Sequence, residues 1–289
     1  MDITIINIED ELYPEKLKNI NKPPKKLYAM GNLSLIKKEM FAVVGTRKIT
    51  DYGKKIAEKL CTELAIRDIP IISGMALGTD AVAHQTALKY GAPTIAVLGT
   101  GLNNIFPKEN TDLYYEILES NGLILSEIDQ DGKYNSSHFP RRNRIVSGLS
   151  EGILVIEAAY RSGTSITVRY AKEQGKLVFA VPGGLDNTYG VGVNKFIKEG
   201  AILVTEIDDI LTFYPQFMNK KRKTLVNKKI KSEYQQIYKL LEERSYLLDE
   251  ISRKIKNKTI SEIANILTMM EIEDLVIQDL GNGYKLKGG

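Results

Sequence analysis

FPRRNRIVSGLSEGILVIEAAYRSGTSIT, residues 139–167, contains the unit from which most of the chain is built. Its centre, Ile153-Leu154-Val155-Ile156, is apolar at every position rather than at every second one. A strand of that kind is covered on both faces. Before it, Ile145, Val146 and Leu149 fall at helical spacing behind Pro140, a residue suited to the first turn of a helix. After it, Arg161-Ser162-Gly163-Thr164-Ser165 is a run of mostly small polar residues. The stretch reads as helix, buried strand, small-residue loop.

The unit recurs. Apolar, β-branched runs stand at FAVVG (41–45), IPIIS (69–73), TIAVLG (94–99), LILSEI (123–128), ILVIEA (153–158), LVFAVP (177–182) and AILV (201–204). Between most of them lie helix-like stretches such as DYGKKIAEKLCTELAIRD and TDAVAHQTALKYG. Fully apolar strands alternating with helices indicate a parallel sheet layered with helices on both faces. Residues 41–215 therefore predict an α/β, Rossmann-like, doubly wound domain. Residues 1–40 read as a short N-terminal cap, with one short helix in ELYPEKLKNI. Residues 216–231 read as a basic linker. Beyond it, SEYQQIYKLLEER, Leu248 to Ile255 and TISEIANILTMMEIEDL have helical spacing, and LVIQDLGNGYKL carries a hairpin turn at Gly281-Asn282-Gly283. Three helices and a two-stranded wing predict a winged-helix-like domain at 232–289.

Composition narrows the function. The 289 residues are 43% hydrophobic and 26% charged, ordinary for a globular protein. No apolar run approaches the ~20 residues of a membrane span, and MDITIINIEDELYPEK lacks a secretory pattern. A cytoplasmic protein is expected, with no membrane partner. One cysteine, Cys61, and two histidines cannot build a typical structural zinc site; no metal and no cofactor are expected. The net charge of +4 is unevenly placed: from Asn219 onward there are 15 basic and 10 acidic residues, against 25 and 26 before it. NKKRKTLVNKKIK (219–231) has seven basic residues and no acidic one, which suits a solvated linker or a contact with nucleic acid or another partner.

In an open α/β sheet, ligands bind outside the carboxyl ends of the strands. The residues there are Gly45-Thr46-Arg47-Lys48, Ser73-Gly74-Met75 with Gly78 and Asp80, Gly99-Thr100-Gly101, Ser162-Gly163-Thr164 with Thr167, and Pro182-Gly183-Gly184. Small residues let a ligand approach the backbone, and helix N-termini favour an anion. Arg141, Arg142 and Arg144, with Asn143 among them, fall on the first turn of the helix that leads to Ile153. Guanidinium forks there suit phosphates, and several forks over several loops suit a run of phosphates better than one nucleotide. The competing reading pairs these arginines with Glu127 or Glu157 as loop braces. The dinucleotide fingerprint and the P-loop are both absent, and no Ser-His-Asp or Cys-His arrangement suggests itself. His84, within an apolar helix pattern, reads as a packed, hydrogen-bonded histidine rather than a catalytic one.

At these residues the sequence resembles the DNA processing protein A family (DprA, also called Smf). The motifs that carry the resemblance are YPEKLKNI, PPKKLYAMGN, VVGTRKITDYG, ISGMALGTDAVAH, AVLGTGLNNIFPKEN, SEI, FPRRNRIVSGLS, EAAYRSGTSIT, VFAVPGG and GVGVNKFIKEGA, from about Tyr13 to Leu211. The resemblance implies an extended Rossmann fold that binds single-stranded DNA, a homodimer, and loading of the RecA recombinase onto incoming strands in natural transformation. By position, Gly45, Arg47, Ser73, Gly74, Gly78, Asp80, Gly99, Gly101, Arg142, Asn143, Arg144, Ser162, Gly163 and Thr167 fall on the family's motifs, while Arg141 falls on a variable position. Ser165 stands where the family has leucine, Thr164 where it has serine, and Leu77 where arginine is frequent. The helical N-terminal domain of many members is not expected here; a C-terminal winged-helix-like domain does occur in the family.

The main reading is a non-catalytic mediator. The alternative is a nucleotide phosphoribohydrolase-like enzyme on a related fold, but in that family the motif is P-G-G-x-G-T-x-x-E, whereas here Pro182-Gly183-Gly184 continues with Leu-Asp-Asn-Thr. A duplex-reading winged helix is a third possibility. Its third helix has Lys258 followed by Glu262, Glu271 and Glu273, a poor surface for a phosphate backbone, so partner docking is the expectation there.

Overall fold

Two edge strands, β1 (Thr4–Asn7) and β2 (Lys26–Gly31), are followed by seven more: β3 (Phe41–Val44), β4 (Ile71–Ser73), β5 (Thr94–Leu98), β6 (Leu123–Ser126), β7 (Gly152–Val155), β8 (Leu177–Ala180) and β9 (Ile202–Leu203). All nine form one sheet, ordered β1-β2-β6-β5-β4-β3-β7-β8-β9. From β6 to β9 every pairing is parallel, while β1–β2 and β2–β6 are antiparallel. The computed structural model describes residues 2–218 except Tyr160, and 231–286 except Ser232, Glu243, Asp274 and Leu280. The chain divides into two units, Met1–Thr224 and Leu225–Gly289. The basic linker expected at 216–231 lies mostly outside the described residues.

The seven apolar runs are the seven parallel strands, and the reason is two-sided burial. Ala42, Val44, Ile153 and Val155 pack into one core with Leu17, Ile145, Val146, Leu149, Val168 and Phe196. Their neighbours Phe41, Val43, Leu154 and Ile156 pack into the other with Leu60, Leu64, Leu211 and Phe217. The helices that supply these covers are α1 (Glu15–Lys18), α2 (Asp51–Ala65), α3 (Thr79–Lys89), α4 (Thr111–Glu119), α5 (His138–Leu149), α6 (Gly163–Glu173), α7 (Thr188–Lys198), α8 (Asp208–Leu211) and α9 (Pro215–Met218). In β3 no residue exceeds 6% exposure. β3 lies between β4 and β7, so the chain winds outward from it in both directions, and the crevice between β3 and β7 is the switch point of the fold.

Residues 1–40, read above as a cap, contribute β1 and β2 to the sheet and Tyr13 and Leu17 to its core. β1 is an edge strand: Ile5 is 50% exposed while Ile6 is 1% exposed. A four-residue alternation beside polar residues gives only a weak strand signal in sequence.

His84, on α3, is fully buried. Its Nε2 lies 2.6 Å from the Gly74 carbonyl and donates to it, and its Nδ1 faces the Thr94 hydroxyl at 2.7 Å. The imidazole thus ties the loop after β4 to α3. Burial holds its pKa down to about 4.

The second unit has its own core, with Tyr234, Ile237, Leu241, Ile251, Ile263, Leu267, Met270 and Val276 among its buried residues. Its elements are α10 (Gln235–Leu241), α11 (Leu248–Lys254), α12 (Ile260–Ile272) and the antiparallel strands β10 (Val276–Gln278) and β11 (Tyr284–Leu286). Thr259 and Glu262 cap α12 reciprocally, and Asn282 takes a positive φ of 60° in the turn of the hairpin. Among the described residues, no helix is long and apolar enough to cross a membrane.

Two predictions follow from this architecture. Because the described core residues of the first unit all lie before residue 219, a chain ending at Met218 should fold: its far-ultraviolet circular dichroism should keep the helical signal and its melt should stay cooperative. A non-cooperative melt would show that the first unit depends on residues beyond 218. The second prediction concerns pH. A histidine that titrates near 6.5 when unfolded and near 4 when folded binds more protons in the unfolded chain between those values. The stability is therefore complete above pH 6.5 and lost as pH falls towards 4, by at most about 3 kcal/mol. Urea unfolding of the native chain should show this slope between pH 6.5 and 5, and His84→Gln should flatten it. Equal slopes in the two proteins would contradict the assignment.

Candidate nucleic-acid interface

The loops at the carboxyl ends of the parallel strands interlock. Gly78 has a φ of 76°, and a Cβ there would lie 2.5 Å from the Thr46 carbonyl, so only glycine fits. Thr79 donates its N–H to that carbonyl at 3.1 Å, and the Thr164 hydroxyl donates to the Gly45 carbonyl at 2.9 Å. The Gly45-Thr46 turn is thus clamped from both sides, and it projects Arg47 and Lys48 into solvent. Arg47 has no hydrogen-bond or ion-pair partner among the described residues; its guanidinium lies 5.9 Å from the centre of the Phe139 ring.

The arginines at 141–144 divide by role. α5 begins at His138, so Pro140 and Arg141 sit in its first turn and Arg144 lies in the second. Arg142 is 7% exposed. Its Nη1 donates to the Val97 carbonyl and its Nε to Asn143 Oδ1 at 3.2 Å. Arg142 meets Asp80 over Gly74, where a Cβ would overlap both Asp80 Oδ2 and Arg142 Nη2. Burial lowers the Arg142 pKa to about 10, with the Asp80 charge opposing the shift. Burial likewise raises the Asp80 pKa, against the pull of Arg142 and of the Ala76 N–H, which donates at 3.3 Å.

Arg144 is 3% exposed. Its guanidinium donates to Glu127 at 2.6 Å, to the Lys22 carbonyl at 3.0 Å and to the Arg141 carbonyl at 3.3 Å. It braces the fold, as the Glu127 alternative anticipated. Arg141 is exposed and shares Glu127, at 2.9 Å. Asn143 donates to the Gly163 carbonyl at 3.3 Å and so ties α5 to the start of α6.

The fold's usual anion seat, the N-terminus of the helix after its first parallel strand, is filled from within. Glu157, 1% exposed, accepts the Thr50 N–H at 2.9 Å and the Thr50 hydroxyl at 2.7 Å. A Cβ at Gly53 would overlap its carboxylate. Glu157 pairs with Thr50 rather than with an arginine.

Ser73 is fully buried and donates to the Val43 carbonyl at 2.6 Å; Met75 and Thr167 are buried too. These three act from beneath. Among the described residues, Thr100 Oγ1, His138 Nδ1 and Ser162 Oγ are buried without a hydrogen-bond partner. Gly163 is exposed, with open space where a Cβ would be. The Gly101 N–H donates to the Gly132 carbonyl at 2.8 Å, which pins the loop before α5. Among the described residues, no group of three or more His, Cys, Asp or Glu could hold a metal ion.

Aromatic residues complete the site, and the motif reading above passed over them. Phe106, Tyr134 and Phe139 form a mutual cluster, with ring centres 4.5, 5.3 and 5.6 Å apart. Phe139 packs over Gly99, where a Cβ would lie 2.8 Å from the ring. Phe106 is 36% and Tyr134 55% exposed. Their signal in sequence is aromatic residues next to basic ones, in IFPK and in KYNSSHFPRR.

A family model described as DNA recombination-mediator protein A matches residues 4–215. Protein Smf of Escherichia coli is 44% identical over 207 residues, 72% of this chain and 55% of that protein, so this chain spans about half of its length. DNA processing protein DprA of Bacillus subtilis is 39% identical over 215 residues, 74% of this chain and 72% of that protein. Among solved structures, DNA processing protein A of Streptococcus pneumoniae superposes with a TM-score of 0.69 at 40% identity, covering 73% of this chain and 74% of that one. The Helicobacter pylori protein, whose structure concerns its single-stranded DNA binding mode, gives 0.67 at 31% identity, covering 75% and 97%. A match over the whole sheet, at these identities, makes this chain a member of the DNA recombination-mediator protein A family.

Proposed function

We propose that the crest binds single-stranded DNA and that the chain is a non-catalytic recombination mediator. The observation that carries this is the aromatic cluster of Phe106, Tyr134 and Phe139 with Arg47 against it. Exposed rings stack on bases, which offer their faces only when unpaired, and stacking on every base type makes such binding tolerant of sequence. Phosphates are met by Arg47 and Lys48 and by the open backbone at Gly163. Arg142, Arg144, Asp80 and the glycines at 45, 74, 78, 99 and 101 hold these groups in place, and Arg141 stands at the margin. A single nucleotide is disfavoured because Glu157 already fills the phosphate seat of the fold. The same pairing of Glu157 with Thr50 speaks against the phosphoribohydrolase reading, and incubation with nucleoside monophosphates should release no free base.

The family supports the finer role: a cytoplasmic homodimer that delivers the strand to the RecA recombinase during natural transformation. The second unit, with its three helices and hairpin, suits a winged-helix-like module. The acidic residues on α12 favour a protein partner for it over duplex DNA.

In a fluorescence-anisotropy titration, log K should fall against log salt with a slope of roughly −3 to −4, for four to six phosphates at about 0.7 each. Equal affinity for blunt duplex of the same sequence would contradict the stacking argument. Arg47→Ala should weaken binding by about 1.5–3 kcal/mol at an unchanged melting temperature. Arg144→Ala should do the reverse. It leaves Glu127 with the exposed Arg141 alone and empties a buried site with three hydrogen bonds, costing about 3–5 kcal/mol of stability, so its melting temperature should drop well below that of Arg47→Ala. If both variants keep their melting temperature and lose affinity alike, the division of roles drawn here is wrong.

A further inference from the structure

Two hollows lie away from the aromatic cluster, and α6 lines both. One, of about 540 Å³, has Lys22, Arg141, Arg169, Tyr170 and Glu173 in its wall. The other, of about 250 Å³, has Arg169, Lys172, Lys195, Phe196 and Glu199. Arg169 belongs to both, so the two form one continuous surface. Counting Arg144, whose guanidinium is buried against Glu127, six of the lining groups are cations and two are carboxylates. The ion pairs along α6 are loose: Arg169–Glu173 is 3.6 Å, Lys172–Glu199 3.8 Å and Lys195–Glu199 3.5 Å, while Lys172 Nζ also donates to the Glu199 carbonyl at 3.2 Å. Pairs of that kind, at the surface, contribute little, and Arg169 and Lys172 can exchange them for another anion. Arg169 is 63% exposed along its side chain, and it lies 5.4 Å from the centre of the Tyr170 ring.

The position of this surface matters more than its charge. α6 starts at Gly163, the open glycine of the crest, which Asn143 holds beside α5. At 1.5 Å per residue, Arg169 is roughly 9 Å and Lys172 roughly 13.5 Å further along the helix axis. A chain that leaves the crest over Gly163 therefore meets Arg169 first and Lys172 next. The phenol ring of Tyr170 and the hollows between the cations suit bases and sugars, while the cations suit the backbone.

We infer that single-stranded DNA held at the crest continues along α6 through these two hollows, which form a second, outlying subsite for two or more phosphates. This inference rests on the crest reading given above. It makes affinity depend on the length of the strand, and it assigns that dependence to Arg169 and Lys172 rather than to Arg47.

The test uses the full chain and two oligothymidines, of about 6 and about 20 nucleotides, within the range of known single-strand site sizes. The ratio of Kd for the double variant Arg169→Ala/Lys172→Ala to that of the unaltered chain is measured at each length, so that the statistical advantage of the longer strand cancels. The ratio should be near one for the short strand and about tenfold for the long one, as expected for two exposed charge contacts. Arg169→Lys/Lys172→Arg should restore the long-strand affinity. A ratio near one at both lengths overturns the subsite. An equal loss at both lengths also overturns it, since these residues would then serve the crest or the fold. If the short strand fails to bind the unaltered chain, the crest reading falls, and the subsite with it. Displacement of the long strand by polyglutamate from the unaltered chain but not from the double variant would assign the surface to an acidic protein and overturn the inference.

Discussion

A buried guanidinium organises the crest. Arg142 keeps its charge at any ordinary pH, even with its pKa lowered to about 10, so its burial is tolerable only with partners from several elements. The Val97 carbonyl comes from the end of β5, Asp80 from the first turn of α3, and Gly74 leaves the space in which the two charges meet. Each requirement explains a residue in a different motif. Glycine at 74 is demanded by the two side chains that cross over it, and His84 fixes the carbonyl of that same glycine from below. The loops after β4 and β5 and the start of α5 thus form one rigid assembly. Ligand groups mounted on it are pre-positioned, which reduces the ordering cost of binding.

The same principle separates inward from outward charge throughout the site. Arg144 and Glu127 satisfy each other inside, and Glu157 satisfies Thr50 at the α2 N-terminus. The second of these pairs uses up the position at which a Rossmann-like domain normally holds a phosphate. Left facing outward are Arg47, Lys48 and the aromatic cluster. A surface of that composition recognises an extended strand by many weak contacts, not a small molecule by a few strong ones.

Much of this was legible in the sequence. A strand buried on both faces must be apolar at consecutive positions, and the seven runs from Phe41 to Val204 announced themselves for that reason. The glycine loops were legible because a close backbone approach excludes every other residue, as at Gly74 and Gly78. The roles of the arginines were not. Arg141, Arg142 and Arg144 are equivalent in a linear motif. Only the placement of α5 decides that Arg144 turns to Glu127, Arg142 to Val97 and Asp80, and Arg141 to solvent. The aromatic cluster was hidden for a similar reason, because Phe106, Tyr134 and Phe139 come from separate segments that only the fold brings together. β1 was missed because an edge strand four residues long buries little and carries almost no periodic signal.

The central claim is that the strand lies across the carboxyl ends of the parallel sheet with its bases on the aromatic cluster. Photocrosslinking of the full chain to a single-stranded oligonucleotide carrying 5-iododeoxyuridine, followed by peptide mass spectrometry, tests it directly. The account predicts adducts concentrated on Phe106, Tyr134 and Phe139. Adducts confined to the second unit, between Tyr234 and Leu286, would contradict it.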